Sequence, residues 1–420
     1  MQEIKIFKLR YSLINKIFLS LTLITMITFP RSFIMLKLTF IIFFLLINLI
    51  YQLQHRSLKL SKYLVVFYAI LMIISGIWSF IGLLNGATIE GFFSNFRLMF
   101  IWSFAYLILF TIFINIRFIL NIFHNVMLAS AFLIAFINIS LFIDQIFILN
   151  VVPINVIEEL NFRFGIHDNY IQITSHNIGS LFFVVPYLLT CFFFYSPKLE
   201  TKRLWLFIVL FLSLIVALLS GRRALWLVIA FTPFIIIVYA YFTRNLYLLN
   251  KKFILSSAIS ALLFFIIVVY SYQIDFISHI QNAFSATDER NIQKPYLIDK
   301  FFEYFFFGTG YGIPAEYIRS SAQPWMYELT YHQMLLNYGI IGILIIVLLV
   351  SSFFVLSVTG IKKTKNNKII MLGMLVGLST FLIGLYSNPY LSSFDFLLYL
   401  GILPLLASFN NYKISHRING

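Results

Sequence analysis

Two adjacent arginines, Arg222 and Arg223, sit in a short polar link, Ser220-Gly221-Arg222-Arg223, between two long apolar runs. A guanidinium is always charged and grips phosphate through two parallel N–H donors. The pair therefore predicts an anion site at a membrane edge, with interfacial snorkelling as the plainer alternative. Arg163 in Asn161-Phe162-Arg163-Phe164-Gly165, Arg290 in Asp288-Glu289-Arg290, and Arg319 further along extend the set of cations. Glu328 and His332 stand four residues apart at the start of an apolar run. On a helix they would share one face, with Glu328 as a general base and His332 as its partner or a proton carrier. The plainer reading makes Glu328 a carboxylate favoured at a helix N-terminus. His167, Asp168 and His176 near Arg163 read as a solvated face. No three ligands fall at a helical metal spacing, so neither a metal nor a cofactor is expected.

The elements that must position these residues are membrane helices. The chain is 420 residues long, 61% apolar and only 11% charged, with mean hydropathy +0.94. Apolar runs of about 20 residues recur, each long enough to cross a bilayer core. The expected fold class is all-α, a polytopic membrane protein with about twelve spans. These fall near 12–30, 32–52, 63–84, 98–116, 122–143, 177–195, 204–220, 224–242, 253–271, 333–357, 369–387 and 391–409. With the N-terminus inside, about two-thirds of the 30 basic residues fall in inner segments, which fits the positive-inside rule and puts both termini in the cytoplasm. The net charge of +15 thus reads as topology, not as nucleic-acid binding. The lone cysteine, Cys191, lies within a span, so no intrachain disulfide can form. The N-terminal basic segment has no small-residue cleavage site after it, so no cleavable signal peptide is expected.

Three regions follow: helices one to nine over 1–271 with an outer loop near 144–176, a large outer loop over 272–332, and helices ten to twelve with a tail over 333–420. The large loop is the one long polar stretch and holds nearly half of the acidic residues. Within it, Tyr296, Leu297, Phe301, Phe302, Tyr304 and Phe305 are spaced as an amphipathic helix lying on the membrane surface. Phe307-Gly308-Thr309-Gly310-Tyr311-Gly312 follows. Its glycines permit a tight turn, but the spacing is not that of a dinucleotide loop. No matching pair of discontinuous half-helices of the transporter kind is evident.

Four features in this order resemble the O-antigen polymerase/ligase superfamily of bacterial membrane glycosyltransferases. Ser220-Gly221-Arg222-Arg223-Ala224-Leu225-Trp226 is similar to that family's Ser-Gly-Ser-Arg-x-x-Leu pattern, with Arg222 in place of the second serine and Arg223 on the family arginine. Arg163-Phe164-Gly165 with the later Asn177 resembles its Arg…Gly…Asn stretch, here longer. Arg290, an aromatic helix and Gly308-Thr309-Gly310-Tyr311-Gly312 form the third. Glu328-x-x-Tyr331 through Gly339-Ile340-Ile341-Gly342 is the fourth. The resemblance covers roughly 155–345.

The resemblance implies an enzyme of the outer leaflet that joins undecaprenyl-diphosphate-linked glycans. The leaving group is already good, so no nucleotide sugar or metal is required. It implies that Arg163, Arg223 and Arg290 clamp the diphosphate, with Arg222 and Arg319 as further contacts. Glu328, or else His332, takes the acceptor's proton. Ligases of the family usually carry a histidine where Glu328 aligns, so a polymerase is the favoured expectation, in the bacterial inner membrane. The partners implied are the lipid-linked oligosaccharide substrates, membrane lipids and a candidate polysaccharide chain-length regulator. A ligase with lipid A core as acceptor is the near rival. A lipid-linked oligosaccharide flippase is the other, though its central spans would carry more charge.

Overall fold

The computed structural model describes residues 2–55, 60–116, 119–149, 151–167, 170–195, 201–245, 289–364 and 367–410. It is helical almost throughout. In chain order the helices are α1 (Gln2–Thr28), α2 (Ile34–His55), α3 (Lys62–Leu84), α4 (Ile89–Phe96), α5 (Trp102–Ile114), α6 (Ile119–Phe147) and α7 (Ile154–Glu159). They continue with α8 (Leu181–Phe193), α9 (Arg203–Leu219), α10 (Arg223–Phe242), α11 (Glu289–Glu303), α12 (Thr330–Lys363), α13 (Lys368–Gly384), α14 (Phe394–Leu400) and α15 (Ile402–Ser408). Among the described residues, seven helices are long and apolar enough to cross a membrane, and four further apolar helices are shorter. The chain is a multi-pass, all-α membrane protein. Helices occupy eleven of the twelve expected stretches; the ninth, 253–271, lies outside the described residues.

The outer loop near 144–176 also carries α7 and a pair of strands that the expected stretches do not include. Residues Arg163–His167 (β1) and Tyr170–Thr174 (β2) form an antiparallel hairpin with Arg163 opposite Thr174 and Gly165 opposite Gln172. Ile173 is buried while Phe164 stays partly exposed against Phe142.

The chain divides into two compact units. The first comprises 1–60, 109–241 and 364–380. At its centre α8 is buried from Leu181 to Cys191. Close approach explains the tight packing. A β-carbon on Gly373 or Gly377 of α13 would press on Tyr187 or Phe183 of α8. Two small residues four apart are what lets apolar helices come together in lipid. Thr380 Oγ1 donates to the Phe182 carbonyl across the same contact, at 2.9 Å. His124 on α6 closes a small polar core with the Tyr187 hydroxyl at 2.8 Å and the Thr201 hydroxyl at 3.1 Å.

The second unit comprises 61–108, 242–363 and 381–420. Here α12 packs along α15, and Ser357 Oγ donates to the Leu403 carbonyl at 3.0 Å. Span ten was expected to be one continuous helix. It is broken: Gly339 has φ 58° and ψ −173°, outside helical space. A break leaves backbone groups that lipid cannot satisfy. The segment after α11 satisfies them. Thr309 and Gly310 donate their amides to the Leu336 and Asn337 carbonyls, and Ile340 and Ile341 donate to the Phe305 and Phe306 carbonyls, all between 2.8 and 3.1 Å. Trp78 Nε1 on α3 donates to the Tyr338 carbonyl at 3.0 Å and the Phe307 carbonyl at 2.7 Å.

The glycine run is therefore a packing device. Gly308, Gly310 and Gly312 all have positive φ, between 70° and 86°. A β-carbon on Gly310 would meet Gly82 Cα at 2.5 Å and the Trp78 carbonyl at 2.7 Å. One on Gly312 would meet the backbone of Gly91 at 2.9 Å. The Tyr311 and Tyr338 hydroxyls contact each other behind the loop.

Candidate functional site

The expected cations fall into two groups, one in each unit. In the first unit, α9 ends at Leu219 and α10 begins at Arg223, so the Ser-Gly-Arg-Arg sequence is a turn between two apolar helices. Gly221 supplies the left-handed conformation at φ 61°. Ser220 is buried and donates to the Ala217 carbonyl at 2.7 Å, and Trp226 Nε1 donates to the same carbonyl at 2.7 Å. This double anchor fixes the turn. It leaves Arg222 half-buried and Arg223 exposed. The hairpin leans on the turn, since a β-carbon on Gly221 would meet Gln172 Cγ at 2.9 Å. Arg163, exposed at the start of β1, is thus carried by the element that rests on the arginine turn. Asn177 is buried and accepts from Asn138 Nδ2 at 2.8 Å and Ser175 Oγ at 2.6 Å, a structural role. His176 bonds with Ser32 and Asn161. Asp168 and the side chain of His167 lie outside what the structure describes.

In the second unit, Arg290, Arg319 and Glu328 converge. Arg290 Nε donates to Glu328 Oε2 at 2.9 Å, and Arg319 Nη2 donates to Oε1 at 2.7 Å. Glu289 faces Arg319 Nε at 3.6 Å. One carboxylate thus joins guanidiniums 38 and 9 residues away in sequence. The site is partly open, with the Glu328 side chain 21% exposed and those of Arg319 and Arg290 30% and 40%.

Two elements hold this cluster. Helix α11 buries Gln293, Leu297 and Phe301, spaced four apart on one face. Leu297 packs with Ala315, Tyr327, Leu329 and Leu336. Leu297 and Phe301 were expected to face the membrane and are instead enclosed by protein, while Phe302, Phe306 and Phe307 remain exposed. The segment before α12 is irregular and is pinned by Tyr327. Its hydroxyl accepts from the Ala315 amide at 2.7 Å and donates to the Tyr317 carbonyl at 3.0 Å. Burial pushes this phenol above its ordinary pKa, so it keeps the proton it donates.

Glu328 and His332 do not share a helical face. Helix α12 starts at Thr330, so Glu328 precedes it, and its carboxylate engages arginines rather than capping the helix. His332 is on the first turn of α12 with its ring edge-on to Tyr386, and its buried Nδ1 has no hydrogen-bond partner among the described residues. Gln293 escaped the sequence reading. It is fully buried and accepts the Glu328 amide through Oε1 at 3.2 Å. That bond fixes its orientation, which leaves Nε2 as a buried donor without a partner among the described residues. A single glutamine in a charged helix gave no signal of this.

Chemically, the second-unit cluster offers two planar cations around one carboxylate. Each carboxylate oxygen accepts one guanidinium bond and retains a further lone pair. Such an array suits a phosphate and a proton acceptor side by side.

Residues 208–347 match the O-antigen ligase family. The matched stretch is about a third of the chain and runs from α9 through the arginine turn, the converging arginines and the broken helix. It is consistent with the O-antigen polymerase/ligase superfamily that the motifs resemble, and it supports a glycosyltransferase-like role in polysaccharide processing. No curated protein and no solved structure matches the chain.

Proposed function

We propose that this protein is a polymerase of O-antigen or a related surface polysaccharide. It joins undecaprenyl-diphosphate-linked repeat units on the periplasmic face of the bacterial inner membrane, with both termini in the cytoplasm. The observation that carries the reading is the family match over 208–347, which includes Arg222, Arg223, Arg290, Arg319 and Glu328.

In the reaction, the acceptor sugar hydroxyl attacks the donor's anomeric carbon. The new C–O bond forms as the bond to the diphosphate oxygen breaks, and undecaprenyl diphosphate leaves with that electron pair. Arg223, Arg290 and Arg163 bind the diphosphate and stabilise its growing charge, with Arg222 and Arg319 as further contacts. Glu328 takes the acceptor's proton, with His332 as the second candidate for that role. A positioned base of this kind contributes about 100- to 10,000-fold.

Transfer to lipid A core, the ligase reaction, is the second reading, favoured by the printed description of the matched family. The carboxylate of Glu328, where the resemblance places a ligase histidine, favours the polymerase. Deleting the gene in its host and running surface glycolipid on a gel separates the two. A single repeat unit on lipid A core in place of a ladder supports polymerase. Loss of all attached glycan, with long polymer still on its carrier, supports ligase. Restoring the deletion with Arg223→Ala should give no polymer at wild-type levels of membrane insertion. Polymer of normal length and yield would remove the arginine from the mechanism.

A further inference from the structure

We infer that Glu328 is held by Arg290 and Arg319 until a diphosphate displaces it, and that the released carboxylate is then received by Gln293. The inference rests on the proposed function and concerns how the same site is switched on.

The structure shows the first state, and Gln293 marks the place of the second. In the free protein the carboxylate occupies Arg290 Nε and Arg319 Nη2 at 2.9 and 2.7 Å. These are the donors that a phosphate oxygen would seek, because guanidinium forks bind carboxylate and phosphate in the same manner. Carboxylate and diphosphate therefore compete for the same donors. A diphosphate brings more negative charge and more acceptor oxygens than one carboxylate, so it can win that exchange. The carboxylate then needs a new donor. Gln293 is bonded to the backbone amide of Glu328 itself, and its Nε2 is a buried donor without a partner among the described residues. An unpaired buried donor is costly and calls for an explanation. The second position inferred for Glu328 supplies one: the side chain turns toward the amide about its own backbone, which Gln293 already holds. Glu289, facing Arg319, and Tyr317, which donates to Glu289 at 3.4 Å, complete the surround of the exchange.

The consequence is a base that is occupied while the donor site is empty and free to take a proton once the diphosphate is seated. Gln293 acts through Glu328 and is a positioning residue.

The test uses the full chain in phosphatidylcholine nanodiscs, titrated with undecaprenyl diphosphate. Glu328→Gln removes the charged competitor, so the variant should bind undecaprenyl diphosphate about tenfold tighter than wild type while transfer is lost. Equal or weaker binding by a monodisperse variant would overturn the exchange, since a carboxylate that only orients the arginines is missed when removed. Gln293→Met supplies the second arm. It should weaken binding in the wild-type background and leave binding unchanged in the Glu328→Gln background. The same loss in both backgrounds means that Gln293 serves only the fold, and it also overturns the proposal. If wild type itself does not bind undecaprenyl diphosphate, the proposed function falls and takes the exchange with it.

Discussion

Replacing Gly310 by alanine tests the glycine run as a packing device. Gly310 has φ 77°, and its added methyl would strike the backbone of α3 at Gly82 and Trp78. The conformational part costs about 1–2 kcal/mol for a left-handed alanine, and forcing a methyl into packed backbone adds about 1–3 kcal/mol. The expected loss is thus roughly 2–5 kcal/mol, a large fraction of the marginal stability of a folded protein. Gly86 is the matched control, because it has φ 90° but open space around its would-be methyl. Gly86→Ala should lose only the conformational part, about 1–2 kcal/mol. Thermal unfolding of both variants in detergent, followed by the monodisperse fraction that survives heating, measures the difference. Equal losses would refute the argument, as would a Gly310→Ala protein with wild-type stability and weakened diphosphate binding.

Two further changes probe the supports of the site. Trp78→Phe strips the donor from the Phe307 and Tyr338 carbonyls, at about 1–3 kcal/mol for the buried Tyr338 bond, and a fall in thermal midpoint at least as large as that of Gly86→Ala is expected. Tyr327→Phe leaves the Ala315 amide without its acceptor, a loss of about 1–3 kcal/mol by the same reasoning. It should show as faster proteolytic nicking within 312–326 at unchanged α12 helicity, and unchanged nicking would count against Tyr327 as the pin.

The membrane helices were legible because a span needs only an apolar run of sufficient length, and composition reports that directly. The hairpin has a signal in the sequence: Phe164 and Ile166, then Ile171 and Ile173, alternate on either side of Asp168-Asn169, the period of a strand pair with a turn between. The break in α12 left almost none. Gly339 in an apolar run looks like any small residue at a helix contact, and what pairs with the opened helix there is an irregular segment some thirty residues earlier in the chain. The same holds for Glu328. Its spacing to His332 suggested a shared face, but the helix begins two residues too late, and its partners arrive from Arg290 and Arg319 by tertiary folding. Gln293 was invisible for a related reason, since burial of an amide depends on what covers it.

The seam between residues 305–310 and the opened turn of α12 also constrains the order of synthesis. The chain leaves the ribosome with Phe305, Phe306 and Thr309 well ahead of Leu336 and Ile340, so the first half of the seam emerges without its partners. Those amides and carbonyls lack their partners until the start of α12 has been synthesised. The packing around Glu328, which includes Leu336, is therefore complete only after the start of α12 has been made and the seam closes. A chain truncated before residue 341 should insert its earlier spans yet lack the arginine cluster's native geometry.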